Sequence, residues 1–535
     1  MMQSGGIHQI ELVTLLLLLF VVVFAALARK LQTPYPIVLV IAGLLLSFVP
    51  GIPKVSLNPD VVFLVVLPPL LYSAAWVTSW REFKFNLVSI LMLAFGLVGF
   101  TVVGVAATTK WVFAGFDWRL GFVLGAVVAT TDAIAATSIA KRIGLPQRIV
   151  DILEGESLVN DATGLLALEF GVAIVVSGQT PTLGAGLLRL AYLTIAGLAL
   201  GLLVGVVVAR IHKLIDDGPI EITLTLLVPY VAYLAAGAIH ASGVLAVVAC
   251  GLYLSRQSSQ FFSPNVRMQA WAVWDALTFV LNGLVFVLIG LQLPFVLAGI
   301  HDYSFGQLVK YGALFSVIVI VLRLIWMFPG AYLANVIRRR FLHQDVRMPS
   351  GRQIFVVGWT GMRGVVALAA AIALPEVLVD GSPFPQRNLI VFLTFSVILV
   401  TLVLQGLTLP PLIRTLGLGG SVGHQAEEKE ARRAMIEAAL DHLLRTRAKD
   451  RPEFADVYDD IEQHYSERLA TLAGESGEGD SNPAHYARHQ ELKRELVRIE
   501  RRTAVRLRNE GRINDEVLRR VEHELDLSEE RLSLM

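Results

Sequence analysis

Five ionisable residues stand near the middle of long apolar runs in this chain: Asp132, Glu156, Asp161, Arg323 and Arg363. Charges at that depth in hydrocarbon are costly, so each needs an explanation. A buried arginine nearly demands a carboxylate partner. Pairing the two arginines with two of the three acids leaves one carboxylate without a fixed partner, and that is where a mobile cation can bind. The local sequence selects Asp161. In GESLVNDATGLL, residues 155–166, a helical spacing of four puts Ser157, Asp161 and Gly164 on one face and Glu156, Asn160 and Thr163 on the next. A carboxylate, a hydroxyl and a neighbouring amide are hard oxygen ligands suited to dehydrated Na⁺ or to a proton. The small residues Ala162, Thr163 and Gly164 let another backbone approach closely; interhelical hydrogen bonding is the competing use of the same polar groups.

Two further stretches read as interrupted helices. VVGWTGMRGVV, residues 356–366, packs Gly358, Gly361 and Gly364 around Arg363; the other is ATTDAIAAT, residues 129–137. Unwound backbone is tolerated at membrane depth only where it is buried in protein or lines a cavity. Matching broken helices in two halves of a chain mark the ion site of many transporters.

The elements that must carry these groups follow from composition. Of 535 residues, 55% are hydrophobic, and the charged residues divide unevenly: 43 in residues 1–420 and 46 in residues 421–535. The first part is net +7 and the second net −6. This predicts a membrane region followed by a solvated tail, and it excludes an ordinary soluble enzyme and a nucleic-acid binder, which needs a concentrated basic face. The single cysteine, Cys250, excludes a disulfide framework and reads as a small core residue. Apolar runs of about 17 to 25 residues predict thirteen spans. They cover 9–28, 35–50, 60–77, 85–109, 118–139, 149–175, 183–209, 219–238, 241–255, 270–297, 307–337, 353–374 and 388–413. The two interruptions then fall in the fifth and twelfth spans. An offset of seven is odd, so spans one to six repeat as eight to thirteen with inverted topology.

No basic residue precedes the first span, whereas Arg29 and Lys30 follow it, which places the N-terminus outside and the tail in the cytoplasm. Loops on the inner side carry sixteen Lys and Arg, including Arg81, Lys84, Arg148, Arg256, Arg338 and Arg347, against five outside: Lys54, Lys110, Arg119, Lys310 and Arg387. The tail reads as charged helical segments broken by AGESGEGDSNP, with Glu-to-Arg spacings of a solvated helix face.

LPPLLY, TTDA, ESLVNDATGLL, GMRGVVALAAA and VTLVLQGLTLPPL, in this order, resemble the monovalent cation/proton antiporter family, in its sodium/proton exchanger branch with an Asn-Asp pair. The resemblance spans residues 9–415. It implies an all-α polytopic membrane fold of about thirteen helices, with inverted repeats, crossed broken helices five and twelve, and a homodimer. It makes residues 1–415 the exchanger domain and 416–535 a helical cytoplasmic tail. It also implies Asp161 as carrier of ion and proton, Asn160 as its helix-holding neighbour, Ser157 and the Thr131 backbone as Na⁺ ligands, Glu156 paired with Arg323, and Asp132 with Arg363 steadying the helix breaks. Many relatives carry an acid where this chain has Ser73, so here the third span offers a hydroxyl beside the ion site. Relatives commonly have proline where this chain has Ala133.

The expected activity is exchange of Na⁺, or of Li⁺ or K⁺, for H⁺ across the plasma membrane, electroneutral and one for one, with no cofactor beyond the transported ions. A channel would need rings of carbonyls or charges around an axis. A zinc hydrolase would need HExxH, which does not occur among His8, His212, His240, His301 and His343. GES at 155–157 lacks the turn and the histidine of a serine hydrolase. His240 and Glu169, near span ends, are candidates for tuning the pH response, with a capping or interfacial role as the competing reading.

Overall fold

A computed structural model describes residues 4–50, 57–113, 115–178, 182–300, 303–344, 348–378, 381–418, 422–448, 454–473, 483–510 and parts of 512–528. Lys54, His301, Arg347 and most of the turn-rich tail segment lie outside the described residues. The chain forms two compact units, Met1–Gly420 and Ser421–Met535.

Among the described residues of the first unit the regular elements are all helices, apart from one isolated bridge between Val377 and Pro383. Among the described residues, ten helical stretches are long and apolar enough to cross a membrane, including Pro59–Val77, Trp80–Val112, Gln147–Ser177 and Phe305–Phe341. The other three expected spans take different forms: the short helix Tyr35–Leu46, the less apolar helix Gly243–Phe261, and the pair Gly351–Trp359 and Val365–Ile372. Length and apolarity alone therefore account for ten spans. The expected twelfth divides because Thr360 to Gly364 leave the helical path.

Helix starts follow local capping chemistry. Asp117, Asp217, Ser242 and Ser263 each accept a hydrogen bond from the backbone N–H three residues on, satisfying a donor that the first helical turn leaves open. Ser304 with Gln307 and Ser350 with Gln353 form reciprocal capping boxes. Three spans contain a π-helical turn, at Val62–Val66, Met92–Leu97 and Thr401–Gln405. The first precedes Pro68 and Pro69, which have no N–H to give to Leu64 and Val65. The Tyr230 hydroxyl donates to the freed Val65 carbonyl instead, at 3.0 Å.

Most of the core is one large apolar cluster running through the first unit, with Cys250 fully buried in it, and two small clusters around Ile222 and Ala236 stand beside it. Many leucines and valines on Ser4–Lys30, Leu183–His212 and Phe305–Phe341 are exposed, including Leu15, Leu188 and Val317. Such faces are at home in lipid or against another membrane helix. His240 occupies a tight turn with φ of 51°, and Glu169 pairs with Arg189 at 3.3 Å.

The second unit contains the helices Val422–Arg447, Ala455–Ala473 and Pro483–Asn509. Exposed pairs such as Arg433–Glu437 and Arg445–Asp441 lie one turn apart along the first. Arg447 joins that helix to the next through Asp459 and Glu462. Exposed pairs of this kind contribute little each.

Candidate ion site

Two helix interruptions meet at the centre of the membrane unit. The first is Thr130 to Asp132, between Trp118–Ala129 and Ala133–Ile143; the second is Thr360 to Gly364. The Asp132 N–H donates to the Met362 carbonyl at 2.9 Å, so the two unwound segments are joined directly through their backbones. Glycine is needed at the meeting point. A side chain at position 364 would touch the Asp132 carboxylate at 2.5 Å, and one at position 361 would run into the Arg323 guanidinium.

A broken helix exposes carbonyls at one end and N–H groups at the other, with partial charges to match. Arg363, 1% exposed, serves the carbonyl ends: its Nε donates to the Val128 carbonyl at 2.7 Å, and its Nη1 donates to the Gly361 carbonyl. Its own N–H donates to Thr401 Oγ1 at 3.1 Å. Asp132 serves an amino end, accepting from the Ile134 N–H at 2.8 Å. Both residues therefore steady the breaks, but among the described contacts they form no ion pair with each other. Each is satisfied by a helix end instead. Thr401 was not singled out from sequence; its only signal was a hydroxyl inside the apolar stretch VTLVLQ.

Glu156 and Arg323 form a bidentate pair, Nη1 to Oε1 at 2.5 Å and Nη2 to Oε2 at 2.9 Å, both residues 1% exposed. Arg323 also donates to the carbonyls of Gly358 at 3.1 Å and Val357 at 3.2 Å, tying the pair to the helix end before the second break. The first break is held against Gln147–Ser177 by hydroxyls and an amide. Ser157 Oγ donates to the Thr131 carbonyl at 2.9 Å and accepts from the Ala133 N–H at 3.4 Å. Asn160 Nδ2 donates to Thr131 Oγ1 at 2.5 Å, and that hydroxyl donates to Glu156 Oε1 at 3.2 Å.

Asp161 stands apart from these networks. It is 6% exposed, and among the described residues no hydrogen bond or ion pair engages its carboxylate. It faces a cavity of about 380 Å³ that also takes in Thr130, Thr131, Asp132, Ser157 and Ser73. On Gln147–Ser177 the lining residues run from Glu154 through Ser157 and Leu158 to Asp161, and on Pro59–Val77 they run from Val62 to Val77. The sequence placed Asp161, Ser157, Thr131 and Ser73 around one site, and the structure brings all four to this cavity. Asn160 and Glu156 lie behind it. Glu154, Thr278 and Asn282 also line it; nothing in their spacing distinguished them. No group of three or more His, Cys, Asp or Glu able to hold a resident metal occurs among the described residues.

Joined helix breaks around a buried, unengaged carboxylate are the arrangement of a secondary transporter's ion site. Residues 15–415 match the family described as sodium/hydrogen exchanger, transmembrane, and the chain belongs to that family. Among its relatives is an uncharacterized Na⁺/H⁺ exchanger of Mycobacterium tuberculosis, 35% identical over 520 residues, 96% of this chain and 94% of the relative. The sodium, potassium, lithium and rubidium/H⁺ antiporter of Bacillus pumilus is 33% identical over 433 residues, 78% of this chain and 64% of the relative. The fold matches that of a sodium proton antiporter from Methanocaldococcus jannaschii with a TM-score of 0.57 at 20% identity, over 78% of this chain and 100% of the other.

Proposed function

We propose that this protein exchanges Na⁺ for H⁺ one for one, with Asp161 carrying either ion in turn. The observation that supports this most directly is the contrast among the three acids placed near the middle of the spans: Glu156 is held by Arg323, Asp132 caps a helix end, and Asp161 alone faces the cavity unengaged. In this reading Na⁺ is bound by the Asp161 carboxylate, Ser157 Oγ and the Thr131 carbonyl, with Ser73 as a neighbour across the cavity. Asn160 locks Thr131 to the carrier helix so that ligand and carrier move together. Asn160 cannot ionise, so it contributes no second proton.

Each half-cycle then carries the same charge, because Na⁺ and H⁺ both bring +1 to the same −1. In this reading ions reach Asp161 past Thr137, Ser138 and Glu154, from the side where Arg81, Lys84, Arg148 and Arg338 lie, the cytoplasmic side by the positive-inside rule. This corresponds to an inward-facing state with the N-terminus outside, in the plasma membrane, and with the exposed apolar faces available for a homodimer. The name of the Bacillus relative supports a second reading of the cargo, in which K⁺ or Li⁺ substitutes for Na⁺. No cofactor is required beyond the transported ions, since the proton gradient drives the cycle.

The test is Asp161→Asn in proteoliposomes under an imposed pH gradient, comparing Na⁺, K⁺ and Li⁺. Loss of all exchange with normal folding is expected. Retained pH-dependent exchange would identify another acid, Asp132 first, as the carrier.

A further inference from the structure

A second set of arginines lies away from the ion site, at the loop end of Trp80–Leu91, Gln147–Ser177 and Phe305–Phe341. Arg148 and Arg338 sit over the ring of Phe85, each 5.6 Å from its centroid. They share one acceptor, Asn86 Oδ1, at 3.3 Å from Arg148 Nε and 3.5 Å from Arg338 Nη2. Arg338 is 3% exposed; its Nη2 also donates to the Phe85 carbonyl at 3.1 Å, while its Nε is buried with no partner. Asn86 Nδ2 is likewise buried and unpartnered. Glu82 acts on Arg148 only through its field, and among the described residues no carboxylate forms an ion pair with either arginine.

Two cations therefore share one amide oxygen, and the donor end of that amide is left open. Removing one guanidinium this far from water without a counter-ion is costly, and two together repel. The arrangement is complete only with an anion that accepts from several donors at once.

An apolar cavity of about 270 Å³ adjoins the cluster. Arg148 and Ser89 line its polar end, and Met92, Ile152, Met327 and Ala331 its apolar walls. Ala334, one turn before Arg338, and Ser89, one turn after Asn86, belong to the same lining. A basic end joined to an apolar chamber suits a molecule with a phosphate at one end and hydrocarbon behind it, and basic pockets between membrane helices take anionic lipid head groups. We propose that this is a binding site for an anionic phospholipid, its phosphate held by Arg148, Arg338 and Asn86 and an acyl chain entering the cavity. Gln353, Ile354 and Val357, from the half-helix before the second break, form another wall. Val357 also accepts from Arg323, so an occupied site braces the element that holds the buried ion pair.

The proposal is tested by binding, independently of exchange. The unfolding midpoint of the purified full-length protein in neutral detergent is followed with dioleoyl phosphatidylglycerol, dioleoyl phosphatidylcholine or inorganic phosphate. Saturable stabilisation by phosphatidylglycerol alone is expected. Arg148→Gln and Arg338→Gln should each weaken its apparent affinity roughly tenfold, the loss of one charge-assisted hydrogen bond. Ala331→Phe, which fills the apolar chamber and spares the arginines, should weaken it as well. Equal stabilisation by phosphatidylcholine, full reproduction of the effect by inorganic phosphate, or unchanged affinity in the Arg148→Gln and Ala331→Phe variants would overturn it. Those two variants decide the matter if Arg338→Gln does not fold.

Discussion

Replacing Arg323 by Met should destabilise the protein more than replacing Glu156 by Gln, and the double variant should lose less than the two together. The asymmetry follows from the bonds each residue makes. Without Arg323, the Glu156 carboxylate loses both its charged donors, keeping only the Thr131 hydroxyl, and the carbonyls of Gly358 and Val357 lose theirs. With Gln at 156, the arginine keeps those two carbonyls and a neutral acceptor. Stranding one member of a buried pair costs roughly 3 to 5 kcal/mol, so Arg323→Met belongs at the upper end of that range and Glu156→Gln at or below the lower. Removing both charges eliminates the stranded ion but not the bare carbonyls, so the coupling should be on the order of 2 kcal/mol. At on the order of 2 °C per kcal/mol, the single losses are midpoint shifts of roughly 5 to 10 °C, readable by intrinsic fluorescence of the purified protein in detergent. Strictly additive shifts, or a larger loss for Glu156→Gln than for Arg323→Met, would refute the assignment of this pair as the anchor of the second break.

Exchange should not respond to a membrane potential set by potassium and valinomycin, whereas movement of one extra charge would be driven by about 2.3 kcal/mol per 100 mV; an endpoint that shifts with the potential would require a second proton carrier. Because Na⁺ and H⁺ compete for one carboxylate, lowering the pH on the Na⁺ side should raise the apparent Na⁺ constant and leave the maximal rate similar until protons limit the far side. Ser157→Ala removes one ion ligand and the anchor of the Thr131 carbonyl, so the apparent Na⁺ constant should rise roughly tenfold, as expected for one lost hydrogen-bonding contact to a charge, with exchange otherwise retained. Gly364→Ala places a methyl group against the Asp132 carboxylate and should abolish exchange in a protein that still inserts, measured as ²²Na⁺ uptake against the amount reconstituted.

The sequence by itself determined which solvent each part of the chain meets, because apolar run length and charge partition depend only on composition along the chain. It also singled out Asp161, by the arithmetic of three buried acids and two buried bases and by the polar face of a single helix. The interruption around Arg363 was legible for a similar local reason: three glycines within seven residues weaken a helix wherever it is placed. The interruption at Thr130 to Asp132 was less so. It contains neither glycine nor proline, and Ala133 favours helix. The chain unwinds there because partners distant in sequence take over its backbone groups: Arg363 the Val128 carbonyl, Ser157 that of Thr131, and Met362 the Asp132 N–H. Tertiary structure also decided how Asp132 and Arg363 are satisfied. Charge counting suggested that they neutralise each other, but a helix end offers an arginine several carbonyls and an aspartate an N–H within the same residue's reach, and a count of charges does not include those partial charges.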